Sequence, residues 1–244
     1  MQIYFYIIFR NKRPTENIRS TVENVIKQIE KEERKQHGTY MDLFKTPKVR
    51  AYTLIMALIW MCCANSFFGV NQYIGRLQGN IYLNVMLSAV SLIPGLILVI
   101  FASLYLRRKI GVVVSFFTAG ISLLVFLIIP SNMRAVELTF ALVGLTGAYT
   151  AFVQIYLHSS EIFPTVIRNS ALGFVSVFAR FGGLIAPFVV NIGIEWISIA
   201  IFSSSAFCAG CLCYFLPETK DTVLLNTIDQ TEKKEKHNLK ANVY

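Results

Sequence analysis

Glu161, Pro164 and Arg168 share the stretch "SSEIFPTVIRN" at 159–169. A carboxylate and a guanidinium on either side of a helix-breaking proline can form a charge-assisted pair. In a protein that moves, such a pair holds one state closed and breaks in the other; in a static one it pins a loop. His158 stands three residues before Glu161, a spacing that reads as an interfacial polar pair rather than as a catalytic one. Arg180, in "VFARFGGLIAPF" at 177–188, is the one Lys or Arg between Asn169 and Lys220. Cys208, Cys211 and Cys213 have metal-like spacing, but no His or further Cys completes four ligands, and the adjacent Cys62 and Cys63 make no disulfide framework. No G-x-S-x-G, Walker loop or H-E-x-x-H occurs. The expectation is therefore a protein that is not an enzyme, with no catalytic residue, no metal and no cofactor.

The elements that carry these residues are apolar. Of 244 residues, 55% are hydrophobic and 15% charged, and mean hydropathy is +0.54; a soluble domain would carry about 25% charged residues. The charges crowd residues 10–50 and 217–244 and nearly vanish between, the pattern of a membrane domain with polar tails. The net charge of +9 does not point to nucleic acid, because the basic residues sit at the ends of apolar segments, where topology accounts for them. Six such segments, at about 51–70, 81–106, 110–130, 136–157, 170–192 and 194–216, are each long enough to cross a bilayer. Lipid offers the backbone no hydrogen bonds, so helices are expected; the alternation of a barrel is absent. Pro94-Gly95 predicts a tilt or kink in the second.

Three parts follow: a cytoplasmic segment at 1–50, a six-helix domain at 51–216 and a cytoplasmic tail at 217–244. Within the first, residues 15–37 read as a solvated amphipathic helix on Ile18, Val22, Val25, Ile26 and Ile29. "MQIYFYIIF" lacks the basic start and cleavage site of a signal peptide and is too short to span; one reading of it is the remnant of an upstream helix. Counted outside the spans, 20 Lys and Arg share a side with both termini and 2 lie on the other, which predicts cytoplasmic termini.

On this frame Arg180 lies roughly 16 Å along its helix from Asn169, at about 1.5 Å per residue. That is close to the middle of a hydrocarbon core about 30 Å thick. Its insertion costs on the order of 3 kcal/mol, so it should face water, a ligand or a counter-charge. Glu161 and Glu195 fall at opposite membrane faces, so no counter-charge of this chain shares its depth. Substrate contact is the leading expectation for Arg180, with a structural ion pair or a misplaced span behind it. Ala179, Gly182, Gly183 and Ala186 permit close helix contact, and Gly182-Gly183 with Pro187 makes a bend.

"SSEIFPTVIRN" resembles the E-x-x-P-T-x-x-R-N signature of the organic cation, anion and carnitine transporters of the major facilitator superfamily. "DLFKTPKVR" (42–50), "GNIYLN" (79–84), "FGGLIAPF" (181–188) and "LPETKD" (216–221) are similar to segments of that family's later helices, in order and at matching spacing. The likeness covers about residues 40–230. Sugar porters share several of these elements, but their Q-Q-x-S-G motif is absent from "WMCCANSFFGVNQY". The resemblance implies an all-α membrane protein whose six transmembrane helices form the C-terminal half of a twelve-helix transporter of the plasma membrane. Substrate would bind near mid-membrane between two halves, so a second six-helix unit joins membrane lipid and a small organic ion as expected partners.

The resemblance also implies roles. The position of Arg180 tends to be arginine in anion carriers and aspartate in cation carriers, which favours an anionic or zwitterionic substrate; a guanidinium holds a carboxylate bidentately. Phe67 and Phe68 fall at a tandem aromatic position and Phe152 at another, where they would line the cavity if they do not face lipid. Glu161, Arg168, Arg107, Arg108 and Glu218 fall in the gating elements, and Gly182, Gly183, Pro187 and Pro164 at hinge or packing positions. "SLYLRRK" keeps Arg107 and Arg108 but has Leu106 for the family's glycine and Ser103 near its acid, which puts the gating network in doubt. Leu92 and Leu145 stand where the family often has charges. The implied function is alternating-access transport of an organic anion or zwitterion as a half transporter. The alternatives are a cation carrier, a sugar-porter-like carrier, or a non-transporting fragment that pairs with a full transporter.

Overall fold

A computed structural model of the chain describes residues 40–77, 79–130 and 133–220. The amphipathic helix expected at 15–37 and the tail beyond Lys220 lie outside them. After a single helical turn at Asp42–Lys45 come six long helices: α1 (Pro47–Arg76), α2 (Ile81–Tyr105), α3 (Arg108–Ile128), α4 (Arg134–Ile162), α5 (Thr165–Val190) and α6 (Glu195–Cys213). All six are long and apolar enough to cross a membrane, and there is no strand among the described residues. This is the all-α, multi-pass architecture expected from six apolar segments.

Local chemistry sets the ends. Pro47 opens α1, where its missing N–H costs nothing. The side chain of Asn80 caps α2 by accepting from the Tyr82 N–H at 3.0 Å. Pro164 separates α4 from α5 and stands as the N-cap of the latter. α1 and α4 outrun their expected spans at both ends and α5 starts early, whereas α2 and α6 fall within theirs. With 30 residues, α1 is about 45 Å long at about 1.5 Å per residue, against a core of about 30 Å. Likewise α4 continues through the polar turn "HSSEI" to Ile162, and α5 starts at Thr165 rather than at 170. Apolarity marks the stretch inside lipid, whereas backbone hydrogen bonding continues until a proline or extended residue stops it.

α1 is the centre of the bundle. It packs most extensively on α5 and also on α6, α4 and α2, while α3 lies against α4 and α6. α2 is an edge helix: 17% of its apolar window is buried, against 61% for α1. One core cluster, with Trp60, Phe116 and Phe163, lies toward the end where α4 meets α5. A second, with Leu123, Leu145 and Phe202, lies toward the opposite end. Because lipid is as apolar as the helices, association rests on close packing and interhelical hydrogen bonds. Ser66 Oγ donates to Phe202 O at 3.0 Å, Ser122 Oγ to Phe140 O at 2.7 Å and Ser203 Oγ to Gly120 O at 2.9 Å. The closest backbone approach is α5 on α1: a Cβ built on Gly182 would lie 2.1 Å from Met61 O and 3.1 Å from Asn65 N.

Candidate functional site

Arg180 is the sixteenth of 26 residues in α5, two to three residues past the middle of the helix and deep within the span. It is exposed, and among the described residues it has no hydrogen-bond or ion-pair partner. Gly183 lies one turn further on and faces Phe68, whose Cδ2 would stand 3.2 Å from a Cβ added there. Residues three apart are neighbours on a helix surface, so the guanidinium rises from the shoulder of α5 that borders Phe68.

Phe68 belongs to an aromatic wall built by α1 and α4. Its ring centroid is 5.1 Å from that of Phe67 and 6.5 Å from that of Phe152, and Phe67 and Phe152 stack at 5.7 Å. The three phenylalanines named from sequence are thus brought together, and Phe68 borders the α5 face that carries Gly183, three residues from Arg180. They are not equivalent. Phe68 is exposed, whereas Phe67 and Phe152 are half-buried and back onto the core. Three further rings complete the wall: Trp60 at 5.8 Å from Phe152, Tyr156 at 5.8 Å from Trp60, and Tyr149 at 5.9 Å from Phe67. The sequence reading passed over them; the signal is helical spacing, since Tyr149, Phe152 and Tyr156 recur at three and four residues along α4.

The second constellation lies at the end of the bundle where α2 stops, α3 starts and α4 stops. Here the expected Glu161–Arg168 pair is corrected. Glu161 Oε1 accepts from Arg108 Nε at 3.1 Å, and its Oε2 accepts from Thr219 Oγ1 at 2.6 Å. Arg168 sits beyond the Pro164 break, in the first turn of α5, and its Nε donates to Phe163 O at 3.4 Å. With Leu106 and Ser103 in place of the family's glycine and acid, Arg108 takes Glu161 as its carboxylate partner and also donates to Ser103 O at 3.5 Å. Arg107 is exposed and takes no part in this pair.

Glu218 anchors the segment after α6. Its Oε2 accepts from the Lys109 N–H at 3.3 Å, placing a carboxylate on the positive N-terminus of α3. Lys220 Nζ donates to Leu104 O and Leu106 O at 2.8 and 2.9 Å, covering free carbonyls at the end of α2. His158 does not pair with Glu161 directly. The single proton of Thr219 goes to Glu161, so Thr219 Oγ1 accepts from His158 Nδ1 at 3.1 Å. Thr219 and Lys220 were not singled out from sequence, although both lie within the quoted "LPETKD". Because Glu161 holds Thr219, Glu161→Gln should weaken both of its contacts at a cost of about 1–1.5 kcal/mol. The expected outcome is roughly tenfold faster tryptic cleavage after Lys220 in bilayer-embedded protein; protection equal to the wild type would refute the anchoring role of Glu161.

Of the packing residues, Gly182 is buried against α1, Gly183 meets Phe68, Pro164 parts α4 from α5, and Pro187 lies in the last turn of α5. Leu145 is fully buried and Leu92 packs beside the same cluster, so the positions where charges were looked for serve as core here.

No protein-family model matches the chain. Curated relatives do. Solute carrier family 22 member 3 of Rattus norvegicus is 32% identical over 205 residues, covering 83% of this chain and 37% of the relative. The organic cation/carnitine transporter 2 of Homo sapiens is 29% identical over 199 residues, covering 81% and 36%. An organic cation transporter-like protein of Drosophila melanogaster is 36% identical over 208 residues, covering 83% and 36%. The chain thus spans a little over a third of the length of these relatives.

Proposed function

The chain belongs to the organic cation, anion and carnitine transporter family of solute carriers, and from that premise we propose that it moves small organic ions across a membrane, with an anion or zwitterion as its preferred substrate. The observation that carries the charge preference is Arg180, exposed near mid-helix, without a partner among the described residues and three residues from Gly183, which faces Phe68. A charge in that place is costly, and a substrate carboxylate held bidentately offsets the cost. Alternating access follows as the mechanism: substrate meets one wall at mid-membrane, and a second six-helix unit supplies the other. The exposed apolar residues of α2 and α5, such as Ile93, Ile97, Leu184 and Phe188, are available for that contact. The Arg108–Glu161–Thr219 network would act as the gate at the end facing the cytoplasm, with both termini on that side and the plasma membrane as the site of action.

A second reading, a cation carrier, is supported by the exposed rings of Phe68 and Tyr156, since aromatic faces attract organic cations. Uptake into cells expressing the chain, with unlabelled competitors of either charge, separates the two. The expected result is inhibition of labelled organic anion uptake by anions and zwitterions and not by tetraalkylammonium ions. Inhibition by the cations alone would reverse the assignment. Native electrophoresis of the same cells should show the chain in a complex with a second membrane unit; a lone monomer would refute the half transporter, and a complex with a full transporter but no added uptake would favour the non-transporting fragment.

A further inference from the structure

α2 and α3 each lie against α4 but scarcely touch one another. The gap between them is a cavity of about 620 Å³, within the range of small-molecule sites. Its walls include Leu98 and Phe101 of α2, Val114 and Ser115 of α3, and Thr150 and Gln154 of α4. It is separate from the aromatic wall. Thr150 and Gln154 each stand two residues before a wall residue, Phe152 or Tyr156, so at about 100° per residue they face the opposite side of α4.

The chemistry of the α3 and α4 walls is one-sided. Ser115 Oγ donates to Gly111 O at 2.9 Å, and Thr150 Oγ1 to Thr146 O at 2.8 Å and Gly95 O at 3.3 Å. Their protons are thus spent on helix carbonyls, so at the α3 and α4 walls lone pairs face the cavity, and the phenol of Tyr105 at the end of α2 is the donor of the lining. Gln154 is 6% exposed. Its Nε2 donates to Ser115 Oγ at 3.4 Å, while its Oε1 has no hydrogen-bond partner among the described residues. Gly111 makes room for this amide, because a Cβ there would lie 2.6 Å from Oε1. That oxygen is an acceptor open to the cavity, so a ligand that brings a donor gains a hydrogen bond there. A small recess lined by Arg107, Arg108 and Gln154 adjoins the cavity, and its positive charge disfavours an ammonium. A neutral hydroxyl remains. An acyl glyceride would bring ester carbonyls against the acceptors of α3 and α4, and an ionised fatty acid would bring no proton at all.

We propose that this cavity binds a membrane-resident amphiphile of the sterol class, an apolar body with a single hydroxyl, which enters sideways from the bilayer between α2 and α3 and donates to Gln154 Oε1. The site does not depend on the transport function. It is tested by photolabelling the full chain in lipid vesicles with a diazirine sterol carrying an alkyne tag, followed by peptide mapping. Val114 is 51% exposed, so Val114→Trp fills the cavity without entering the core. Gln154→Met keeps the volume and removes the amide. Expected are labels on α2, α3 and α4 peptides, a loss of about tenfold in Val114→Trp, and a loss of about fivefold in Gln154→Met, the equivalent of one hydrogen bond. A sterol 3-methyl ether should label the wild type no better than the parent sterol labels Gln154→Met, a comparison that holds even if a variant folds poorly. Capture that is unchanged by Val114→Trp, methyl ether capture equal to that of the parent sterol, or preferential capture of a photoreactive fatty acid at the same peptides would each overturn the proposal.

Discussion

Arg180→Ala is expected to lower the affinity for an organic anion by about 10- to 100-fold and so to remove uptake at low substrate concentration, with surface expression unchanged. The magnitude follows from a hydrogen-bonded carboxylate, since bonds to charged groups contribute about 1.5–3 kcal/mol, and each 1.4 kcal/mol or so is tenfold. Folding should not suffer. The side chain is exposed and has no partner among the described residues, so its removal leaves no cavity and orphans no counter-charge among them, and it lifts an insertion cost on the order of 3 kcal/mol. A structural ion pair predicts the reverse pattern: loss of the protein from the surface along with its transport. Arg180→Lys should fall between, keeping the charge but losing the planar fork. Normal anion uptake by Arg180→Ala would remove the basis for an anion preference.

How far this site was legible in the sequence depends on the kind of contact involved. The six spans were legible because exclusion of charge over about twenty residues has one cheap explanation. Arg180 and its place near the middle of α5 were legible for the same reason, since a single guanidinium in an apolar run stands out against that exclusion. The partner of Glu161 was not. Glu161 and Arg168 are near in sequence, but Pro164 turns the chain between them, while Arg108 is 53 residues away and arrives because α3 begins where α4 ends. Sequence proximity favours the wrong guanidinium, and only packing of α3 on α4 selects the right one. Phe67 and Phe68 show the same limit on a smaller scale. Adjacent residues on a helix point about 100° apart, and which of the two faces the open side is decided by where α6 and α4 press on α1. Thr219 and Lys220 needed tertiary context too, because their partners belong to α2 and α4.

Gly182 is where the wall itself is held together, and its substitution is the second test with a large expected effect. A Cβ at this position would stand 2.1 Å from Met61 O, a backbone atom that cannot rotate away. Even alanine therefore forces α5 off α1, and we expect Gly182→Ala to cost about 1–3 kcal/mol, the usual range for overpacking. At roughly 2–4 °C per kcal/mol for a chain of this size, the melting temperature in detergent should fall by about 2–12 °C, and by more for Gly182→Leu. Gly183 is the control, one residue away. Its added Cβ would meet Phe68 Cδ2 at 3.2 Å, and that ring is an exposed side chain that can turn aside. Gly183→Ala should thus melt within about 0.5 kcal/mol of the wild type, in the range of surface changes, while disturbing the aromatic surface next to Arg180. The two glycines separate stability from function: position 182 sets whether α5 reaches α1, and position 183 sets what the arginine has beside it. If Gly182→Ala melted like the wild type, the two backbones would not be in contact at that point.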